Sequence, residues 1–204
     1  MRISIRGKVL LVGACMMAGL AAWGQAPSPQ HSKAVSFDLA ASYTAEKAQQ
    51  APDACGCFWM KGGSMDLTAN LWKGWGVTLA VNGEHASAST AGSDLNFVRS
   101  LLGPRYSLHP VHVGVRRTPV RIFGEALFGR AYAFNSVFPI AGGVVSSRDA
   151  MALQAGGGVN VQWSKHFGVR PLQVDYMRTS FLNNGSNTQN DVSASWGVIY
   201  RFGK

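Results

Sequence analysis

From Asp191 to Lys204 every second residue changes character. Val192, Ala194, Trp196, Val198, Tyr200 and Phe202 fall on one side of an extended chain, and Ser193, Ser195, Gly197, Ile199, Arg201 and Gly203 on the other. The same period recurs upstream. Residues 35–45 set Val35, Phe37, Leu39, Ala41 and Tyr43 against Ser36, Asp38, Ala40, Ser42 and Thr44, and residues 58–72 set Met65, Leu67, Ala69 and Leu71 against Ser64, Asp66, Thr68 and Asn70. In 76–85, Val77, Leu79 and Val81 oppose Thr78, Asn82 and Glu84; in 95–108, Val98, Leu102, Tyr106 and Leu108 oppose Arg99, Gly103, Arg105 and Ser107. In 119–133, Val120, Ile122, Ala126 and Phe128 oppose Arg121, Glu125 and Gly129; in 150–163, Met151, Leu153, Ala155, Val159, Val161 and Trp163 oppose Gln154, Gly156, Gly158, Asn160 and Gln162. In 169–181, Leu172, Val174 and Tyr176 oppose Gln173, Asp175 and Thr179. Eight strands are therefore expected. Phe97, Leu101, Phe123 and Leu127 break the pattern in 95–108 and 119–133 by standing on the polar side.

The connections alternate as well. Lys73-Gly74-Trp75 and 164–168 are short, whereas 46–57, 86–94, 134–149 and 182–190 are longer and rich in Gly, Ser, Asn and Ala; His109 to Thr118 is a long member of the short class. An even number of strands puts both termini on the short-turn side. Periplasmic turns opposite longer external loops are the layout of a bacterial outer-membrane barrel. A soluble antiparallel barrel carrying an apolar ligand has the same alternation with its faces exchanged. The aromatic residues near strand ends (Trp163, Tyr176, Tyr200, Phe202) and charges of both signs on the polar face favour the membrane form.

The N-terminus points the same way. Arg2, Arg6 and Lys8 precede an apolar core from Val9 to Trp23 and a small-x-small Gly24-Gln25-Ala26, so residues 1–26 read as a secretory signal peptide. A tail at 27–34 and a barrel at 35–204 follow. The net charge of +9 falls to about +6 without the signal, and no basic run remains. Nucleic-acid binding, which needs clustered Lys and Arg on one face, is not expected. Cys55 and Cys57 remain after the signal; in an oxidising compartment they are expected to be oxidised, and a strained bond across one residue, bonds to other chains, or a free dithiol all stay open.

From Val35 to Phe202 the chain resembles the small outer-membrane β-barrel domains, the family of the membrane half of outer-membrane protein A. The residues that carry the resemblance are Cys55-Gly-Cys57-Phe58 with Gly62-Gly63, Leu102-Gly103-Pro104-Arg105-Tyr106-Ser107, Gly124-Glu125-Ala126-Leu127-Phe128-Gly129, Ser164-Lys165-His166, and Arg170-Pro171-Leu172-Gln173-Val174-Asp175-Tyr176. The resemblance implies an all-β, eight-stranded antiparallel up-and-down transmembrane β-barrel in the outer membrane, with outer-membrane lipid and the barrel-insertion machinery as partners. The family commonly ends on its last aromatic residue; this chain departs from that with Gly203-Lys204 after Phe202.

The candidate chemistry lies on the polar face. Asp38, Asp66, Glu84, Glu125 and Asp175 stand with Arg99, Arg105, Arg121 and Arg201, and an eight-stranded barrel has room for little besides side chains, so these groups are expected to pair as a lumen charge network. A structural or surface-interaction role follows, with a narrow ion or small-solute channel as the alternative. An enzyme is not expected. Lipid-modifying barrels use Ser and His near the outer rim, and His85 does reach an external loop beside Glu84, Ser87 and Ser89, but serine is common in loops. His109, His112 and His166 fall in the short turns and His31 in the tail, without the Cys or carboxylate that would complete a metal site, and no cofactor is expected.

Overall fold

The computed structural model of the chain describes residues 35–49, 57–87, 94–115, 117–140, 143–181 and 188–203. The expected signal peptide and tail, and Cys55, lie outside these residues, and with them the expected cysteine pairing; Cys57 opens a strand. Nine strands are present among the described residues: β1 (Ser36–Gln49), β2 (Cys57–Trp72), β3 (Trp75–Ala86), β4 (Leu95–Ser107), a three-residue β5 (Val111–Val113), β6 (Thr118–Ile140), β7 (Gly143–Gln162), β8 (Phe167–Thr179) and β9 (Gln189–Gly203). Eight of them form an antiparallel ring in the order β4-β3-β2-β1-β9-β8-β7-β6, closed by pairing of β4 with β6. The extra strand β5 sits beside β6 where the long member of the short connections begins.

Local chemistry explains the joints. Lys73 and Gly74 both have positive φ (47° and 88°), the two-residue turn whose twist matches a hairpin, and Trp72 pairs with Trp75 across it. Two expected loops are shorter than the composition suggested. The 134–149 segment is mostly strand, because β6 runs on to Ile140 and β7 starts at Gly143, forming a hairpin that extends past the ring. Likewise β1 continues through Glu46 to Gln49 instead of ending near residue 45. Small and polar residues lower strand propensity, but pairing with an adjacent strand overrides that weak preference.

The faces are resolved. Leu67, Leu79, Leu102, Phe128, Leu153, Val174 and Val198, one from each of seven ring strands, are exposed on the outer wall, and Asp38, Thr68, Thr78, Arg99, Glu125, Gln154, Asp175 and Ser195 are buried inside it. Apolar-out and polar-in is the arrangement of a membrane barrel and the reverse of a soluble apolar-ligand carrier. The four residues that broke the alternation are buried within the barrel. Phe97, Leu101 and Leu127 join Met60, Ala131, Ala133 and Phe181 in an apolar cluster toward the loop side, with the Phe97 and Phe181 rings 5.7 Å apart.

Val174→Arg, in the middle of β8 on the outer wall, is expected to destabilise the barrel by about 2–4 kcal/mol in lipid, the range for a cation at the bilayer midplane. Urea unfolding in vesicles measures it. A neutral effect would mean that this wall does not face hydrocarbon.

Candidate functional site

The ring is too narrow for bulk water, so inward charges are satisfied by one another. They do so at three levels. At the level nearest the termini, Asp38 on β1 and Arg201 on β9 are cross-strand partners, and both carboxylate oxygens accept from the guanidinium, one through Nη2 at 2.7 Å. Arg201 Nη1 also donates to Gln162 Oε1 at 2.6 Å, and Asn70 Nδ2 donates to Asp38 at 3.2 Å. Half-buried Arg121 lines, with Arg201 and His166, a pocket of about 50 Å³ at this mouth.

The middle level gathers more groups. Arg105 donates through Nε to Glu125 at 2.7 Å and through Nη1 to Thr68 Oγ1 at 2.8 Å, and Thr68 in turn hydrogen-bonds Thr78. Arg170 Nη1 bridges Asp66 and Gln173, whose amide nitrogen donates to Glu125 at 3.0 Å and to Asp175 at 2.8 Å. The Phe123 ring lies under both guanidinium groups, 4.2 Å from Arg105 Cζ and 4.8 Å from Arg170 Cζ, so an apparent blemish on the polar face is a cation–π platform. On the loop side of these groups, Arg99 donates to Glu46 through Nη1 and to Glu84 through Nη2, both at 2.7 Å, with the Phe97 ring 5.0 Å from its Cζ.

Of the nine expected lumen residues, seven are buried and Arg121 and Arg201 are half-buried, and not all pair as expected. Asp175 is held by Gln173 and has no arginine within ion-pairing distance among the described residues; its Oδ1 lies where a Cβ on Gly156 would come within 2.1 Å, so only glycine fits opposite it. Three members of the network were missed. Glu46 falls in the expected 46–57 connection, although the alternation Ser42, Thr44, Glu46 continues inward and the residue is 0% exposed. Gln173 was placed on the polar face but not among the network. Arg170 has the wrong parity for Gln173 and Asp175, and a β-bulge explains it: between the pairs Arg170–Gly197 and Gln173–Ser195, two residues of β8 (Pro171 and Leu172) stand opposite one of β9 (Trp196), and Pro171 has no N–H to donate to a ladder. That proline was the available signal.

A second constellation lies outside the lumen. His85 on β3 faces Asn96 on β4 across the ladder, with Nδ1 2.9 Å from Asn96 Oδ1, and its Nε2 is 3.2 Å from Ser87 Oγ. On the other side His85 is the cross-strand partner of exposed Lys61 on β2. His166 instead stacks on Tyr200 and contacts the Arg201 carbonyl at 3.0 Å.

No protein-family model matches the sequence, and no curated protein matches it. Among solved structures, the chain is similar to Neisserial surface protein A, with a TM-score of 0.63 and 14% identity over 81% of this chain and 97% of that one. The N-terminal β-barrel domain of Pseudomonas aeruginosa OprF aligns with a TM-score of 0.48 and 14% identity, covering 82% of this chain and 97% of that one. Ail of Yersinia pestis, in complex with the heparin analogue sucrose octasulfate, aligns with a TM-score of 0.48 and 16% identity, covering 83% and 98%. The first of these likenesses shows the fold, a small antiparallel barrel.

Arg99→Met strands two buried carboxylates and is expected to cost about 3–5 kcal/mol. Adding Glu46→Gln and Glu84→Gln removes the uncompensated charges and should recover most of that loss. Tryptophan fluorescence during urea unfolding reads both, and a single mutant as stable as the parent would show that the three groups do not depend on one another.

Proposed function

We propose that the chain is a bacterial outer-membrane barrel with a structural or surface-interaction role, its lumen closed by paired charges. The observation that carries this reading is the outer wall: apolar residues are exposed on every ring strand while Arg99, Arg105 and Arg170 are 1–2% exposed inside. Folding in water would waste that wall, whereas lipid covers it. The short connections and the termini then face the periplasm and the four longer connections face outward. The barrel-insertion machinery is the partner that such a wall requires. Inside, guanidinium groups bonded at three levels oppose a conducting path, since each would have to give up its acceptors for an ion to pass.

The competing channel reading makes the opposite demand. Glu125 accepts from Arg105 at 2.7 Å and from Gln173 at 3.0 Å, so Glu125→Gln is expected to cost about 3–5 kcal/mol while planar bilayers containing the mutant carry no single-channel current. Heat-modifiable migration on gels checks that the barrel is folded in both proteins. A stable mutant that conducts strongly would establish the channel and overturn the closed barrel.

A further inference from the structure

We propose that the mouth of the barrel beside its termini binds a phosphate group, with Arg121 and Asn160 as its ligands and Arg201 supplying the field. On the membrane reading above this mouth opens to the periplasm, and only that location rests on the reading.

Basic residues that form no run in the sequence are gathered by the fold at one end. Lys73, Arg117 and Lys165 lie in the short turns, and Arg121 and Arg201 stand just inside them. Among the described residues Asp38 is the carboxylate at this level, and Arg201 already holds both of its oxygens. Arg121 therefore meets more like charge than unlike, since the Arg201 guanidinium acts on it more strongly than the Asp38 carboxylate does. A cleft of one sign between low-dielectric walls concentrates ions of the other sign.

The pocket itself spans four adjacent strands. Arg121 on β6 is the cross-strand partner of Asn160 on β7; Gln162 on β7 pairs with Gly168 on β8, and Gly168 pairs with Ile199 on β9, two residues before Arg201. Pro110 and Pro119 add wall without a backbone donor. The amide oxygens that line it are taken: Asn160 Oδ1 accepts from Arg170 Nε at 3.1 Å, and Gln162 Oε1 accepts from Arg201 Nη1 at 2.6 Å. Fixing the oxygen of buried Asn160 on Arg170 leaves its Nδ2 to donate, whereas Gln162 Nε2 is used on the Lys165 carbonyl at 3.1 Å. His166 places Nδ1 3.0 Å from the Arg201 carbonyl, so its Nε2 becomes a further donor when the ring is protonated. A guest thus finds the guanidinium fork of Arg121, an amide N–H and positive charge. Those are the requirements of an oxyanion.

Size and charge select which one. The volume of about 50 Å³ exceeds the ~10–15 Å³ that one water requires and falls far below the roughly 300 Å³ at which sites for drug-sized molecules begin, so one small group fits. A carboxylate brings a single charge, whereas a phosphate monoester brings about −1.5 to −2 near neutral pH and a third oxygen for the amide. The free ion and the monoester of a small soluble molecule share that chemistry.

The test uses the full chain without its expected signal, folded in a neutral detergent and checked by heat-modifiable migration. Calorimetric titration at constant ionic strength compares inorganic phosphate, glycerol 3-phosphate and acetate. One saturable phosphate site is expected, with acetate roughly tenfold weaker or worse. Arg121→Gln should weaken phosphate binding about ten- to a hundredfold, the worth of a charge-assisted hydrogen bond, and Arg121→Lys should weaken it less. Asn160→Asp, which sets a carboxylate where the N–H stood, should also weaken it; if that variant does not fold, the Arg121 pair decides. Lys61→Gln removes the same charge at the opposite end of the barrel and should leave the affinity unchanged. Glycerol 3-phosphate binding as well as phosphate supports a monoester guest, and phosphate binding alone supports the free ion. A folded barrel with no saturable phosphate binding, acetate bound as tightly as phosphate, or Arg121→Gln binding as well as the parent overturns the site. Flotation with phosphatidylcholine vesicles is read separately: a barrel that binds phosphate but does not float overturns the membrane reading and leaves the pocket standing.

Discussion

The width of an eight-stranded ring controls what can stand inside it. There is room for side chains and little else, and the guanidinium groups of Arg99, Arg105 and Arg170 are there nonetheless, each on a different acceptor set. An unpartnered buried charge costs several kcal/mol, and a one-residue slip sends every inward side chain outward. Charge pairing and strand register are therefore the same constraint. Asp38 with Arg201 ties the first ring strand to the last, closing the barrel, and Arg105 with Glu125 ties β4 to β6 across the connection that holds β5. Arg170 with Asp66 and Arg99 with Glu46 reach across the lumen between strands that are not neighbours.

Departures from regular alternation serve this packing. The bulge at Pro171 turns Arg170 inward, where it meets Asp66, Asn160 and Gln173; a regular strand would have put that guanidinium in the outer wall. Phe123 offers its ring face to two cations, and Gly156 leaves the space that Asp175 occupies. The remaining apolar intruders, Phe97, Leu101 and Leu127, fill the loop-side lumen, where polar side chains would each have needed a further partner.

Strand number, face assignment and most of the lumen charges could be read from the sequence because the period of two is a property of extended backbone itself. Two kinds of feature could not. Strand ends depend on pairing with a neighbour, which is why Glu46 and the 134–149 segment carry loop-like composition yet lie in strands. Partner choice depends on three-dimensional reach: Asp175 finds an amide where an arginine was expected, and the constellation of His85, Ser87 and Asn96 needs two strands in register, so local spacing showed His85 and Ser87 but gave no reason to select Asn96.

The inside and the outside of the wall are linked through the same ladder. Glu84 and His85 are consecutive on β3, one pointing into the lumen and the other away from it. Arg99 stands three residues beyond Asn96 on β4, and the ladder pairs Asn82 with Arg99 and His85 with Asn96. When Arg99 binds Glu84 at 2.7 Å inside, it locks β3 to β4 in the register that sets His85 opposite Asn96 outside. The lumen arginines Arg99, Arg105, Arg170 and Arg201 each hold a carboxylate inside the ring, whereas the imidazole on the outer wall lies between Asn96 Oδ1 on one nitrogen and Ser87 Oγ on the other. A closed lumen thus acts as the rigid support for whatever the rim does, since strands fix a side chain more firmly than a loop.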